Sequence, residues 1–350
     1  MSTVPTKHPD TIWFTRCPVP TATGLAHQLG WLAEDFARDG IQVQTLQENG
    51  GALARHHYDH ELSTLVREGG NLLALPARAQ GAKTRLVGLT WIEEWQAILV
   101  RPGSDISRPE HLRGKRLALP VFRDEDLAHN RRGRSIARGM SLAGYKGALA
   151  SAGASFDEVT LVEVGHGAAT TTTSLGGLWE GIAPLMRGEV DAVYVKGASA
   201  YDAARAAGAV VGIDLDKLPD KKWRVNNGTP RPITVHEDLI EQHFELLVRF
   251  LYQTLRAAEW AKGHRDEVLR ILQGETRAGS DGVAHAYRDG FHLALAPDLS
   301  PERVALFRQQ KDFQLLHGFL DRDVDIDSWI DARPLAEAQR RLQEDLRAAA

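Results

Sequence analysis

Cysteine is nearly missing from this chain: Cys17 is the one cysteine among 350 residues. A single cysteine excludes an intramolecular disulfide and leaves a soft-metal site with at most one thiolate ligand. Pro18 and Pro20 follow it closely and restrict the backbone around it. The composition therefore poses a question about Cys17, which is either an inert buried hydrophobe or a reactive thiol.

Long apolar runs are missing as well. No window approaches the roughly 18 apolar residues of a membrane span, and the N-terminal segment has no basic region followed by an apolar stretch. Arg16 stands directly before Cys17, at a position where a lipid-modified cysteine needs a small residue. We therefore expect a cytoplasmic protein without a membrane contact.

Neither sign of charge dominates, because 42 lysines and arginines stand against 46 aspartates and glutamates, for a net charge of −4. This balance gives no field that would recruit nucleic acid. The phosphate-loop, GxSxG and HExxH motifs are absent. The stretch GHGAAT at 165–170 resembles a dinucleotide fingerprint, but its sixth residue is threonine and a poor helix follows, so we interpret it as a turn.

Strand-like and helix-like segments alternate through the first 215 residues. A β-like run at 12–14 precedes helical spacing over 22–36 and an alternating strand over 41–46. This alternation predicts an α/β fold with mainly parallel sheets. From 236 onward the pattern is helical.

The order of these segments predicts two lobes with a cleft between them. We place residues 1–102 and 222–350 in lobe I and residues 103–221 in lobe II. The helical tail has no α/β unit of its own, so we expect it to pack back onto lobe I. A cleft between two lobes is a common place for a ligand site.

The segment at 54–71, ARHHYDHELSTLVREGGN, concentrates polar groups. A helix over 62–67 would end at the Gly69-Gly70 pair and leave the Gly70 amide free for a ligand. His56 or His57 with His60 on one helical face would supply half a metal site. A solvated helix start with capping polar groups is the alternative interpretation.

Cys17 follows the first predicted strand and precedes the first helix. In open α/β sheets this end of a strand faces the ligand crevice. The positive end of a helix dipole also favours a thiolate. Position alone therefore favours a functional thiol.

Two patterns together resemble the hydroxybiphenyl sulfinate desulfinase family of bacterial dibenzothiophene desulfurisation. They are CPVP near the N-terminus and H-x9-R-x-x-G, formed by His57, Arg67 and Gly70. The resemblance continues through TRLVGLT, HLRGKRLAL and GEVDAVYV. It implies a two-lobed fold of the periplasmic-binding-protein type (type II), as in the sulfonate- and nitrate-binding proteins.

The resemblance also implies an activity: hydrolytic cleavage of an aryl C–S bond, without a cofactor or metal, that releases sulfite from a small anionic substrate. Cys17, His57 and Arg67 would be catalytic, and Gly70 and Arg67 would bind the substrate; we add His60 as a further candidate for binding. Cys17 would either attack sulfur or protonate the ring carbon. The alternatives are a non-catalytic binding protein of an ABC transporter for sulfonate- or nitrate-type anions and an intracellular ligand sensor. The sequence leaves the ring system and the oligomeric state open.

Overall fold

The structure is a computed structural model that describes residues 8–49, 51–129, 131–165, 179–288 and 290–349. The strands in these ranges are β1 Thr11–Phe14, β2 Gln42–Thr45, β3 Leu65–Glu68, β4 Thr84–Thr90, β5 Gln96–Val100, β6 Arg116–Pro120, β7 Thr160–Val164, β8 Val193–Lys196, β9 Val210–Asp214 and β10 Arg231–His236.

The α-helices in the same ranges are α1 Ala22–Gln28, α2 Trp31–Ala37, α3 Leu46–Asn49, α4 Gly51–Ala54, α5 His56–Asp59, α6 Asn71–Ala79, α7 Asp124–Ala128, α8 Ile136–Ser151, α9 Ile182–Arg187, α10 Ala198–Ala207, α11 Glu237–Ala261, α12 Arg265–Thr276, α13 Ser280–Ala286, α14 Pro301–Leu316, α15 Ile326–Trp329 and α16 Arg333–Ala349. In the part of the chain that the structure describes, no helix combines the length and the apolar character that crossing a membrane requires.

The first sheet has the strand order β2-β1-β3-β10-β4. Strand β1 runs parallel to β2 and β3, whereas β10 runs antiparallel between β3 and β4. The pairing places Thr234 of β10 opposite Arg67 of β3. A strand from late in the chain therefore completes the centre of a sheet that the first 90 residues begin.

The remaining strands form a second group. Strand β5 pairs antiparallel with β8 and β9, β6 pairs parallel with β7, and a bridge between Leu117 and Ala192 joins the two sets. The α/β class is thus present, but the sheets are mixed rather than mainly parallel. Strand β5 pairs within the second group, although the boundary at 102 assigned it to lobe I. The lobe limits themselves remain a prediction.

The helical tail packs against the first sheet. The Phe250 ring of α11 lies 6.2 Å from the Phe14 ring of β1 and 6.5 Å from the Phe36 ring of α2, centre to centre. All three rings are buried. Aromatic packing at these distances fixes α11 over the first sheet, as the sequence led us to expect.

Two local predictions need correction. The helix predicted over 22–36 is split at Gly30, whose φ of +79° ends one helix and starts the next. The helix predicted over 62–67 is wrong, because residues from Leu65 onward form the central strand β3. The GHGAAT turn lies outside the described residues from position 166 onward.

Asp216 gives a prediction about stability and pH. It follows β9 beside Asp214 and Glu93, with Arg288 and Arg224 as the opposing cations, and burial raises its pKa to about 7. Because the folded state holds this proton more tightly than the unfolded state, stability falls as pH rises from about 4 to about 7. We expect Asp216→Asn to gain about 2 kcal/mol at pH 8 and almost nothing at pH 4.

Urea unfolding of both proteins at the two pH values measures this gain. Asp220→Asn is the control, because the Lys222 hydrogen bond lowers the pKa of Asp220 and its removal should give no gain at pH 8. Equal stability of Asp216→Asn and wild type at pH 8 would contradict the prediction.

Candidate active site

Cys17 lies just beyond the carboxyl end of β1, next to the end of β3. Its Sγ donates to the carbonyl oxygen of Glu68 at 3.4 Å, and Thr15 Oγ1 donates to the same oxygen at 2.8 Å. Since β1 and β3 are parallel neighbours, their carboxyl ends meet at one edge of the sheet. The thiol therefore stands where an α/β sheet presents groups to a ligand.

Arg67 lies beneath this edge and is 1% exposed. Its Nε donates to the carbonyl oxygen of His57 at 3.2 Å, and its Nη2 donates to that of Gly70 at 3.3 Å. Its Nη1 is buried without a hydrogen-bond partner among the described residues. Burial lowers the pKa of Arg67 to about 10, and the nearby Cys17 opposes that shift. The guanidinium is thus a fixed cation with one unused donor.

The two glycines after β3 are needed for close packing. A Cβ at Gly69 would lie 2.7 Å from the guanidinium carbon of Arg67, and one at Gly70 would lie 2.4 Å from Asn227 Oδ1. Gly70 caps the N-terminus of α6, and no acceptor in the described chain receives its amide. This amide, at the positive end of a helix, is a donor suited to an anion.

Asn71 anchors the start of α6 from the buried side. Its Nδ2 donates to the carbonyl oxygens of Asn226 and Pro230, at 2.7 and 3.0 Å. Its Oδ1 accepts from Gln310 and Gln314 of α14, at 3.2 and 2.9 Å. Every polar atom of the side chain is satisfied, so the Gly70 amide is held in place by distant parts of the chain.

His57 contributes a neutral ring. Burial lowers its pKa to about 3, and the positive charges of Arg67 and Arg231 add to that shift. Its Nδ1 is buried without a partner in the described chain. At neutral pH the imidazole therefore acts as a hydrogen-bonding group or a proton acceptor, and it carries no charge.

A cavity of about 210 Å³ brings Cys17, His57 and Gly70 together. Apolar side chains line much of the remaining wall: Val19, Leu73, Ile136, Met140 and Trp179. Trp179 is the tryptophan that lines this cavity among the described residues, whereas Trp91 and Trp95 are buried elsewhere. The cavity has a polar end at α6 and an apolar wall, which suits an anion attached to an apolar group.

The sequence analysis did not predict two basic side chains that line this cavity. Arg231 is 6% exposed, and its Nε has no hydrogen-bond partner among the described residues. Lys196 also lines the cavity, but it pairs with Glu94 at 2.9 Å. The signal in the sequence was weak, because Arg231 is an isolated arginine at the start of a short strand. The cavity is therefore more cationic than the motif alone suggested.

His60 does not join this group. It is 3% exposed and lines a separate cavity. Helix α5 ends at Asp59, and His60 takes a left-handed φ of 59°, so the expected helical face of histidines does not form. The described residues contain no group of three or more histidine, cysteine, aspartate or glutamate side chains that could hold a metal ion.

Glu68 sits next to Arg67 in sequence, yet its carboxylate does not compete for the same anion. Neighbouring side chains of a strand point to opposite faces. Thr90 Oγ1 donates to Glu68 Oε1 at 3.0 Å, and burial raises the pKa of Glu68. The sheet thus separates the acidic group from the guanidinium.

Gly70→Ala tests the packing at the polar end of the cavity. The added Cβ would overlap the Asn227 side chain and displace the backbone amide, which alanine retains. We therefore expect a loss of about 1–3 kcal/mol in stability and at least roughly tenfold weaker binding of a small anion, because the displaced amide no longer reaches the charged group. Calorimetric titration and thermal unfolding measure both. Gly263→Ala is the control, because nothing lies within 4 Å of its Cβ position. Unchanged anion affinity in Gly70→Ala would show that the Gly70 amide does not bind the anion.

A family model and a curated relative each match more than two thirds of this chain. The sequence model of the NMT1/THI5-like family matches residues 21–268. The 2′-hydroxybiphenyl-2-sulfinate desulfinase of Rhodococcus erythropolis is 26% identical over 353 aligned residues, which cover 91% of each chain. The similarity therefore extends over most of both chains.

Solved structures share the fold. A cysteine-to-serine mutant of the desulfurization enzyme DszB, crystallised with biphenyl-2-sulfinic acid, superposes with a TM-score of 0.77 at 23% identity and covers 95% of this chain and 99% of its own. The periplasmic aliphatic sulphonate-binding protein SsuA of Escherichia coli gives 0.63 at 16% identity, over 93% of this chain and 92% of its own. The two-lobed binding-protein fold that the sequence predicted is thus confirmed.

Proposed function

This chain belongs to the NMT1/THI5-like family, and from that premise we propose that it is a desulfinase-like enzyme that cleaves an aryl C–S bond and releases sulfite. One observation carries the proposal: Cys17, His57 and Gly70 line one cavity, and the buried Arg67, though not itself a lining residue, is close enough to interact electrostatically with Cys17. The similarity to a sulfinate desulfinase over 91% of the chain supports the same substrate class.

The proposed reaction converts an aryl sulfinate and water into an arene and hydrogen sulfite. The C–S bond breaks, the ring carbon gains a proton and the water oxygen joins sulfur. A sulfinate carries two oxygens, and Arg67 Nη1 and the Gly70 amide are two donors without partners in the described chain. We propose that these donors hold the oxygens and orient the sulfur toward Cys17.

Cys17 has two possible reaction routes, and atoms and charge balance in each. As a thiolate it attacks sulfur, the ring leaves as a carbanion that takes up a proton, and hydroxide then releases sulfite and restores the thiolate. As a thiol it protonates the ring carbon, sulfur dioxide leaves, and its hydration returns the proton. Both routes place the sulfur of Cys17 within electrostatic reach of Arg67.

His57 assists as a neutral group in this proposal. With its pKa lowered to about 3, the ring is free to accept a hydrogen bond from the thiol at neutral pH. The apolar wall with Trp179 and Met140 accommodates the ring of the substrate and keeps water from it. A ring at this wall and a sulfinate at α6 fit a substrate that is apolar at one end.

A second candidate is a non-catalytic binding protein for sulfonate-type anions. The fold that the chain shares with SsuA supports it. Such a protein needs the anion donors of Arg67 and Gly70 but has no use for a thiol between them. The presence of Cys17 in the cavity favours the enzyme.

Turnover separates the two candidates. Purified protein is incubated with biphenyl-2-sulfinate and with benzenesulfinate, and sulfite and arene are quantified together. The enzyme releases the two products in equal amounts, over many turnovers. Saturable binding of either anion with no sulfite would reject the enzyme and favour the binding protein.

A further inference from the structure

A second cavity, of about 740 Å³, lies beside the Cys17 cavity and has no part in the proposed reaction. Leu73 of α6 borders both cavities. One wall comes from the segment 55–61 and α6, near the first sheet. The other wall comes from the turn at 131–134, which precedes α8. A ligand between these walls would contact two separate parts of the chain.

The lining of this cavity is basic. Of the described residues, two carboxylates line it, Asp59 and Glu61, against five basic side chains: Arg55, Lys83, Arg131, Arg132 and Arg134. Asp59 is already engaged, since its carboxylate lies 3.8 Å from Arg55 and 2.8 Å from His56 Nδ1. The whole chain has a net charge of −4, so this concave region reverses the overall sign. A concave basic wall concentrates anions from solution.

His60 is the buried polar group of this cavity. It is 3% exposed, and neither ring nitrogen makes a hydrogen bond of good geometry among the described residues, although the backbone of His57 lies close enough to oppose the lowering of its pKa. Burial lowers its pKa, and the charge of Arg67 adds to the effect, so the ring is neutral and offers one N–H donor. A buried donor without a partner costs free energy that a ligand oxygen would recover.

Arg131 and Arg134 line the same cavity as His60, from the turn at 131–134. The Asp126 carboxylate acts on Arg134, but it is already hydrogen-bonded to Arg123 at 2.8 Å. The guanidinium carbon of Arg134 lies 4.6 Å from the ring centre of Tyr58, so a cation–π contact joins the two walls. Burial and the charge of Arg131 lower the pKa of Arg134. Two crowded cations thus line the cavity, and the carboxylate that partly offsets them is shared with Arg123.

We propose that this cavity is a second anion site, which takes a small oxyanion of the sulfate, sulfite or phosphate class. The His60 N–H donates to one oxygen, and Arg131 and Arg134 bind the others from the opposite wall. The bound oxyanion connects the segment before β3 to the turn before α8. The second anion site requires neither thiol chemistry nor a sulfinate substrate, so its test is independent of the proposed function.

Calorimetric titration with inorganic sulfate tests the site. The titration uses the Arg67→Gln protein, in which the Cys17 cavity has lost its main anion donor. We expect one saturable site, and at least a roughly 30-fold weaker affinity after Arg131→Gln and Arg134→Gln are combined with it. Sulfite and phosphate are titrated in the same way. Tighter sulfite binding would identify a site for the product of the proposed reaction, and tighter phosphate binding a site for phosphate.

A matched charge change controls for the overall field. Arg108→Gln with Arg113→Gln removes two exposed positive charges that line neither cavity and should leave the sulfate affinity within about twofold. Equal loss in both double variants would overturn the proposal, as would the absence of a saturable site.

Histidine NMR of the unmodified protein gives a reading that does not depend on a variant folding. Saturating sulfate should shift the ring nitrogens of His60, a resonance assigned through its disappearance in His60→Gln. A ring signal that stays in place at saturating sulfate would overturn the contact with His60 and with it the proposed site.

Discussion

Cys17→Ser is expected to lower sulfite release from an aryl sulfinate by at least about 10³-fold, because a serine hydroxyl ionises far less readily than a thiol and is a much weaker nucleophile. Binding should survive, since Arg67 and the Gly70 amide remain in place. A sulfite assay measures the first effect, and calorimetric titration with benzenesulfinate measures the second. The expected result is an inactive protein whose affinity for the anion lies within a few-fold of wild type.

Cys17→Ala separates chemistry from local structure. Serine keeps a donor for the Glu68 carbonyl oxygen that Cys17 now contacts at 3.4 Å, and alanine does not. Equal loss of turnover in both variants would assign the effect to the thiol itself. A serine variant that kept more than about a tenth of the wild-type rate would exclude both proposed routes, because each needs the acidity or nucleophilicity of sulfur.

Arg67→Gln should reduce kcat/KM by about 10³-fold and weaken anion binding, because it removes a buried charged donor worth several kcal/mol to an anion. Arg67→Lys keeps a charge but loses the planar fork, so we expect an intermediate value. Steady-state kinetics with a sulfinate, together with titration of a sulfonate that cannot react, separate binding from turnover. If the binding-protein alternative holds, only the titration will respond.

Arg78 of α6 provides the matched control. Its Nη1 also donates to two backbone carbonyl oxygens, those of Ala82 and Thr84, at 3.3 and 3.1 Å, and it pairs with Glu237 at 3.6 Å rather than interacting with Cys17 as Arg67 does. Arg78→Gln should therefore lose similar hydrogen bonds while the kinetics stay unchanged. If both glutamine variants lose activity together with thermal stability, Arg67 is a structural residue and the assigned role is wrong.

The sequence predicted the α/β alternation well because that signal is local. Strand β1 and the long helix α11 each show their own period of apolar residues. Strand β3 does not, because Leu62, Leu65 and Val66 follow helical spacing and the strand has only four residues. Its conformation is set by pairing with β1 and β10, and β10 comes from more than 150 residues later in the chain. A window of sequence cannot contain that partner.

The site residues also differ in how far the sequence predicts them. Cys17, His57, Arg67 and Gly70 form a spaced motif, and a resemblance could identify them. Arg231 carries no motif, and only the antiparallel register between β10 and its neighbours brings it to the cavity.

The prediction for His60 is wrong for a different reason, because it assumes a continuous helix that carries His57 and His60 on one face. His60 itself adopts a left-handed backbone conformation, and its side chain lines a different cavity. Backbone reversals of this kind leave little trace in a sequence unless glycine occupies the position.

Asn71 sets a lower limit on how short an active form of this protein can be. A chain cut before α14 would keep every residue of the Cys17–Gly70 motif, yet it would lose Gln310 and Gln314, the two donors to Asn71 Oδ1. The start of α6, and the Gly70 amide with it, would then lack its support. Proteolytic trimming or an early stop codon near residue 300 would thus disable a site whose motif remains complete. A motif search confined to the first 70 residues would still accept that fragment as an enzyme.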